Sequence, residues 1–151
     1  MNERTLIILK PDAVQRRLSG EILLRLERKG LKLMGLKMAR LDRSKLEVHY
    51  AAHRGKAFYP SLLGFMSQGP VVLCVLEGFR AIEVVRKMLG KTAAAEAEPG
   101  TIRGDLGLSS QFNLIHASDS PEAARKEIDL FFSPGELFEY RMPDESWLQG
   151  E

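Results

Sequence analysis

Thr5-Leu6-Ile7-Ile8-Leu9 is apolar without a break and reads as a central strand. Lys10-Pro11-Asp12 ends it. Downstream, Ser19 to Lys29 spaces Ile22, Leu23 and Leu26 along one helical face and stops at Gly30. From Leu31 to Leu41 the pattern alternates, but its phase slips. Leu31 and Leu33 share one parity, whereas Met34, Leu36 and Met38 share the other. Gly35 sits at the change, which predicts a strand with a bulge or bend there.

Asp42-Arg43-Ser44 opens a helix carrying Leu46, Tyr50 and His53, and a second short helix spans 60–69. Pro70 to Glu77 is the next buried strand. Arg80 to Leu89 is helical, with Ile82, Val85 and Leu89 inward and Gly90 closing it. Lys91 to Ser110 has neither period and reads as a long loop, a length that points to function or disorder in a compact domain. Gln111 to His116 forms the last strand. Ser120 to Phe132 is a helix with Ser120 at the N-cap, Pro121 at N1 and Glu122 in the first turn; Ala124, Ile128 and Phe131 face inward. Ser133 to Glu151 is irregular. The order is β-α-β, two helices, then β-α-β-α. Two split βαβ units predict an α+β, ferredoxin-like fold: a four-stranded antiparallel sheet with helices on one face. No repeat or linker divides the chain, so residues 1–151 read as one domain.

With 44% hydrophobic and 28% charged residues, the chain has ordinary globular composition. A net charge of +2, from scattered basic residues, demands no nucleic acid. Cys74 is the single cysteine and lies in an apolar run, as a packed thiol in a reducing compartment would. It has no partner for a disulfide or a Cys-rich metal site. The N-terminus runs straight into a strand, without a signal peptide. No apolar stretch approaches the roughly 20 residues of a membrane span. A cytoplasmic location follows as the expectation.

The candidate chemistry centres on Asn113-Leu114-Ile115-His116-Ala117-Ser118-Asp119-Ser120. A histidine closing a strand just before a helix N-terminus sits where backbone N–H groups attract phosphate. Glu127, further along that helix, is a candidate carboxylate near the ring. Alone, His116 would read as a hydrogen-bonded core histidine; Ser118, Asp119 and Ser120 are unusual companions for that role. Lys10, Arg86, Thr92 and Arg103 lie at strand ends, in loops or near them, where they could surround a triphosphate. His49 and His53 share a helix face at i, i+4, but no Glu follows His49 and no third ligand is evident, which disfavours a metal site. One tension remains. Strict alternation puts Asn113 and His116 on opposite faces of the last strand, so both line one site only if the chain leaves strand geometry before His116.

Taken with Lys10-Pro11-Asp12, His49-Tyr50, Phe58-Tyr59-Pro60, Ser67-Gln68-Gly69-Pro70-Val71-Val72 and Pro99-Gly100-Thr101-Ile102-Arg103-Gly104-Asp105, this segment resembles the nucleoside diphosphate kinases over nearly the whole chain. The resemblance implies an enzyme that moves the γ-phosphate of a nucleoside triphosphate to a nucleoside diphosphate, by ping-pong steps through a phosphohistidine. It makes His116 the nucleophile through Nδ1, with Glu127 orienting the ring and Ser118 supporting that carboxylate. It makes Lys10, Tyr50, Arg86, Thr92, Arg103 and Asn113 hold phosphates and sugar hydroxyls. Phe58 stacks on the base with Leu62 beside it, and Asp119 stands near a magnesium ion that the nucleotide phosphates bring. It also implies a homo-oligomer. The stretch from Glu136 to Trp147 resembles that of hexameric members, which favours a hexamer over a tetramer. The family's usual glycines are Ala13 and Ala117 here, and its usual Asn-Pro is Ala93-Ala94. Ala117 would strain a positive φ beside His116. Ala117 and Ala93-Ala94 motivate a competing reading, a nucleotide-binding or assembly module of the same fold with weakened catalysis. A ferredoxin-like nucleic-acid binder is a third, lacking an aromatic sheet motif and a basic excess.

Overall fold

The computed structural model describes residues 2–149. Strands β1 (Asn2–Leu9), β2 (Lys32–Ala39), β3 (Val71–Phe79) and β4 (Ile115–Ala117) form one sheet in the order β2-β3-β1-β4. Every pairing is antiparallel. The unbroken apolar run of β1 divides between two cores by strand alternation. Ile7 and Leu9 join Cys74 and Leu76 on one face; Leu6 and Ile8 join Leu73 and Val75 on the other.

Helices therefore cover both faces, which corrects the expectation of one. α2 (Ser19–Arg28) and α5 (Ala81–Leu89) close the first core through Ile22, Leu26, Val85 and Leu89. α3 (Arg43–His49), α4 (Tyr59–Ser67) and α7 (Pro121–Phe131) close the second through Leu46, Leu63, Met66, Ile128 and Phe131. A sheet covered on one face would leave either Leu6 and Ile8 or Ile7 and Leu9 in water, at about 1.5–3 kcal/mol for each side chain.

The phase slip in β2 is a bulge. Leu33 pairs with Leu76 and Gly35 with Val75, so Met34 is the extra residue and turns into the second core. Asp42 caps α3 by accepting from the Lys45 N–H, and Ser120 caps α7 by accepting from the Ala123 N–H.

Three short helices escaped the sequence reading. α1 (Pro11–Gln15) follows β1 directly, with Pro11 at its start and Asp12 in its first turn. α6 (Ile102–Leu106) lies inside the long loop, which also holds a 3-10 turn at Ala94–Glu96. α8 (Glu145–Gln149) and a 3-10 turn at Pro134–Glu136 lie in the C-terminal stretch. Five residues are too few to carry a helical period. What shapes α6 is local: the Thr101 hydroxyl accepts from the Gly104 N–H at 2.9 Å. A Cβ at Gly104 would lie 1.9 Å from the Glu98 carbonyl oxygen, so only glycine permits that close approach.

The last strand is Ile115–Ala117, shorter than Gln111 to His116. Leu114 breaks it with φ +76°. Left-handed backbone costs a leucine roughly 1–2 kcal/mol. Segment 10–12 compensates from both sides. The Lys10 N–H donates to the Leu114 carbonyl at 2.8 Å, and Asp12 Oδ2 accepts from the Leu114 N–H at 3.0 Å. Ala117 lies in the strand and has no positive φ, so the strain expected there falls on Leu114 instead. Among the described residues, no helix is long and apolar enough to cross a membrane.

Candidate active site

The departure at Leu114 resolves the tension between Asn113 and His116, because both side chains line one cavity of about 580 Å³. Lys10, Tyr50, Phe58, Leu62, Arg86, Thr92 and Arg103 line it too. They come from the end of β1, the end of α3, the start of α4, α5, the long loop and α6. His53, weighed in the sequence only as half of a metal pair, and Ala117, noted there only as a departure, complete the wall with Ser61, Ser110 and Gln111, which the sequence reading did not single out for the site. Ser110 and Gln111 lie in a loop without a period, and Ser61 is a polar position on α4 outside its apolar face, so only the surrounding motifs could have flagged them.

His116 sits on β4 with its Nε2 2.9 Å from Glu127 Oε1. An ionised carboxylate can only accept, so Nε2 carries the proton and Nδ1 keeps the lone pair. Ser118 is fully buried; it accepts from the Leu6 N–H and donates to the same Glu127 oxygen at 2.8 Å. Burial works against charge on Glu127, but the bonds from His116 and Ser118 and the pull of the ring outweigh it. Its carboxyl therefore lies below the ordinary range and stays ionised at neutral pH.

The cations are held as firmly. Arg103 is 5% exposed and donates to the carbonyls of Asn113, Gly90 and Ile115. Burial and neighbouring Arg86 lower its pKa to about 10, still charged at neutral pH. Lys10 Nζ donates to Asn113 Oδ1 at 2.8 Å, and Asn113 Nδ2 donates to the Thr92 carbonyl. Arg86 donates to the Ala117 carbonyl at 3.3 Å. Burial first, and Arg103 second, bring Lys10 down to about 8. Burial raises the Tyr50 hydroxyl above its ordinary range, so it remains a hydrogen-bond donor.

Among the described residues, no carboxylate lines this cavity. Three cations converge without a counter-charge, an arrangement suited to a polyanion. Asp119 is exposed and outside the wall, and the first turn of α7 does not line it either. Side-chain cations thus supply the positive field in place of that helix N-terminus. His53 has left the helix for a 3-10 turn and lines the cavity, whereas His49 packs against the His116 ring, so the i, i+4 pair does not form a site of its own. Cys74 is buried and its thiol is pushed up to about 12, which keeps it unreactive.

A sequence model of the family described as nucleoside diphosphate kinase matches residues 3–137. A nucleoside diphosphate kinase of Thermomicrobium roseum is 59% identical over 148 residues, 98% of this chain and 99% of that protein. The chain belongs to the nucleoside diphosphate kinase family. One of Archaeoglobus fulgidus is 52% identical over 149 residues, 99% of both chains. Among solved structures, a halophilic nucleoside diphosphate kinase from Halobacterium salinarum, in complex with CDP, superposes with a TM-score of 0.95 at 45% identity, over 98% of this chain and 99% of that one. The family consists of phosphotransferases that act on nucleotides and need a divalent metal ion. Two of the alanines that motivated the weakened-module reading, Ala94 and Ala117, leave the backbone beside the site regular. Ala117 lies in regular strand, and Ala94 is buried at the start of its 3-10 turn.

The low pKa of Lys10 gives a signed prediction. Nucleotide phosphates favour its ammonium form, so affinity is complete below about 8 and falls as pH rises past it. Calorimetric Kd values for a nucleoside diphosphate should weaken on the order of tenfold between about pH 7 and about pH 9.5, with proton uptake at the higher pH. Lys10→Met should bind more weakly throughout and show a flat profile over that range.

Proposed function

We propose that this chain transfers the γ-phosphate of a nucleoside triphosphate, usually ATP, to a nucleoside diphosphate by way of phospho-His116. The hydrogen bond from His116 Nε2 to Glu127 carries this reading, because it leaves the Nδ1 lone pair on a ring that lines a cavity rich in cations. Nδ1 attacks the γ-phosphorus; an N–P bond forms while the bond to the leaving nucleoside diphosphate breaks. Glu127, steadied by Ser118, offsets the positive charge that develops on the ring. The second half-reaction runs in reverse, with another nucleoside diphosphate as acceptor. Lys10, Arg86 and Arg103 neutralise the phosphates, and Tyr50, Thr92 and Asn113 orient them and the sugar. The divalent ion is magnesium, a hard cation that takes phosphate oxygens and would draw further charge from the transferring group. A cavity that no carboxylate of the described residues lines fits an ion that arrives on its nucleotide, with Asp119 acting only indirectly.

Phe58 offers the base a half-exposed aromatic face, with Leu62 beside it. Stacking uses a π-face that every base has, so base specificity is broad. Phe58→Ala should weaken adenine, guanine, cytosine and thymine diphosphates alike, by about tenfold in Kd. Loss confined to one base would show that edges, not faces, are read.

We also read residues 1–151 as one domain, working in the cytoplasm as a homo-oligomer, a hexamer in preference to a tetramer. Exposed Leu36 and Met38 on edge strand β2, with exposed Phe138 and Trp147, support the assembly. Sedimentation equilibrium distinguishes hexamer, tetramer and monomer. The test of the chemistry is labelling. Incubated with γ-labelled ATP and no acceptor, the protein should take up acid-labile phosphate on His116 and surrender it to added dTDP. An unlabelled protein overturns the assignment.

A further inference from the structure

The reaction leaves one buried ring unexplained. His49 closes α3, and both of its nitrogens are buried without a hydrogen-bond partner among the described residues. Leaving a buried polar group unpaired costs about 1–3 kcal/mol, so such a group asks for a ligand. The ring stands edge-on to His116, with centroids 4.6 Å apart at 84°. One donor atom each from His49, His116 and Glu127 lie within 4.8 Å of one another.

From this geometry we propose that His49, His116 and Glu127 form a site for a divalent transition-metal ion of the zinc class, and that the bound ion switches off phosphoryl transfer. Two imidazoles and a carboxylate suit zinc and its neighbours, whereas magnesium prefers oxygen donors alone. Bonds near 2.05 Å in a tetrahedron put donors about 3.3 Å apart. The His116 Nε2 and Glu127 Oε1 pair, now at 2.9 Å, needs to open by a few tenths of an ångström. His49 must close by up to about 1.5 Å. The fourth position is left to water. Side-chain exposures of 23% for His116 and 16% for Glu127 give the ion an approach. Burial, followed by the proximity of His116, holds the His49 ring down to about 3, so the ring is neutral and one of its nitrogens keeps a lone pair for a metal.

Inhibition follows from counting protons. A neutral imidazole has one N–H and one lone pair. With Glu127 accepting from Nε2–H, the lone pair is on Nδ1. An ion on Nε2 claims the lone pair there, so the ring proton moves to Nδ1 and no proton is gained or lost. Nδ1 then has nothing with which to attack phosphorus. This second half rests on the reading of His116 as phosphate carrier; metal binding itself does not.

The test uses the whole protein, without nucleotide, and Co²⁺ as a visible probe for zinc. We expect one equivalent of Co²⁺ to bind with the absorption of a four- or five-coordinate ion and to be displaced by Zn²⁺. His49→Gln and His116→Asn should each weaken binding at least tenfold, with thermal melts verifying that both variants fold. In the wild type loaded with magnesium and γ-labelled ATP, Zn²⁺ should slow label uptake at least tenfold, and His49→Gln should need at least tenfold more Zn²⁺ for the same loss. Absence of the cobalt spectrum, or a spectrum indifferent to His49→Gln, overturns the site. Binding that leaves label uptake unchanged overturns the switch. A protein that never takes label even without zinc overturns the phosphate-carrier assignment, and the cobalt titration still decides the metal site.

Discussion

His116→Ala is expected to lower kcat by about four orders of magnitude or more, because the variant has no atom to carry phosphate between the two half-reactions. Nucleotide affinity should change little, since Lys10, Arg86 and Arg103 surround the phosphates independently of the ring. A coupled assay with ATP and dTDP, run beside calorimetry, separates the two effects. Full turnover in the variant would remove His116 from the mechanism. Equal loss of binding and turnover would instead make it part of the cavity's framework.

Arg103→Met should give the largest loss of stability. The guanidinium ties together the carbonyls of Gly90, Asn113 and Ile115, which belong to the end of α5, the loop before β4 and β4 itself. Removing it strands these acceptors in a buried setting, at about 1–3 kcal/mol each where water cannot replace the bond. A net loss of about 3 kcal/mol would lower Tm by about 10 °C in a chain of this size. Affinity for a nucleoside diphosphate should also fall at least tenfold, since Arg103 lines the cavity. Thermal melts and calorimetry check both, and a Tm within about 2 °C of the parent would refute the structural role. Arg103 and Lys10 repel each other across the cavity, and this repulsion, second to burial, lowers the pKa of Lys10. Bound phosphate relieves that repulsion, so nucleotide should raise the Tm of the parent more than that of the variant.

Several features of the fold were legible along the chain because they are local. Ser120-Pro121-Glu122 announces α7 through cap chemistry, and the parity slip at Gly35 announces the bulge. The unbroken run Thr5–Leu9 marked the central strand. The same run also implied cover on both faces, a consequence that the count of split βαβ units obscured. α1 and α6 were missed because five residues cannot show a period, although Pro11 before Asp12 and Thr101 before Gly104 were usable end signals.

The site divides along the same line. Residue types and motif spacing were enough to nominate His116, Glu127, Lys10 and Arg103 and to point to phosphoryl chemistry. Their convergence was invisible, because Lys10 and Asn113 meet across 103 positions and Ser118 reaches Leu6 across 112. Such meetings depend on strand order and on one left-handed leucine, neither of which leaves a periodic trace. The approach of His49 to His116 and the exposure of Asp119 outside the cavity wall belong to this second kind of fact. Hydrophobic pattern and capping report what a segment does with its own neighbours; which side chains share a cavity is set by how distant segments pack, and that appears only once the chain has closed on itself.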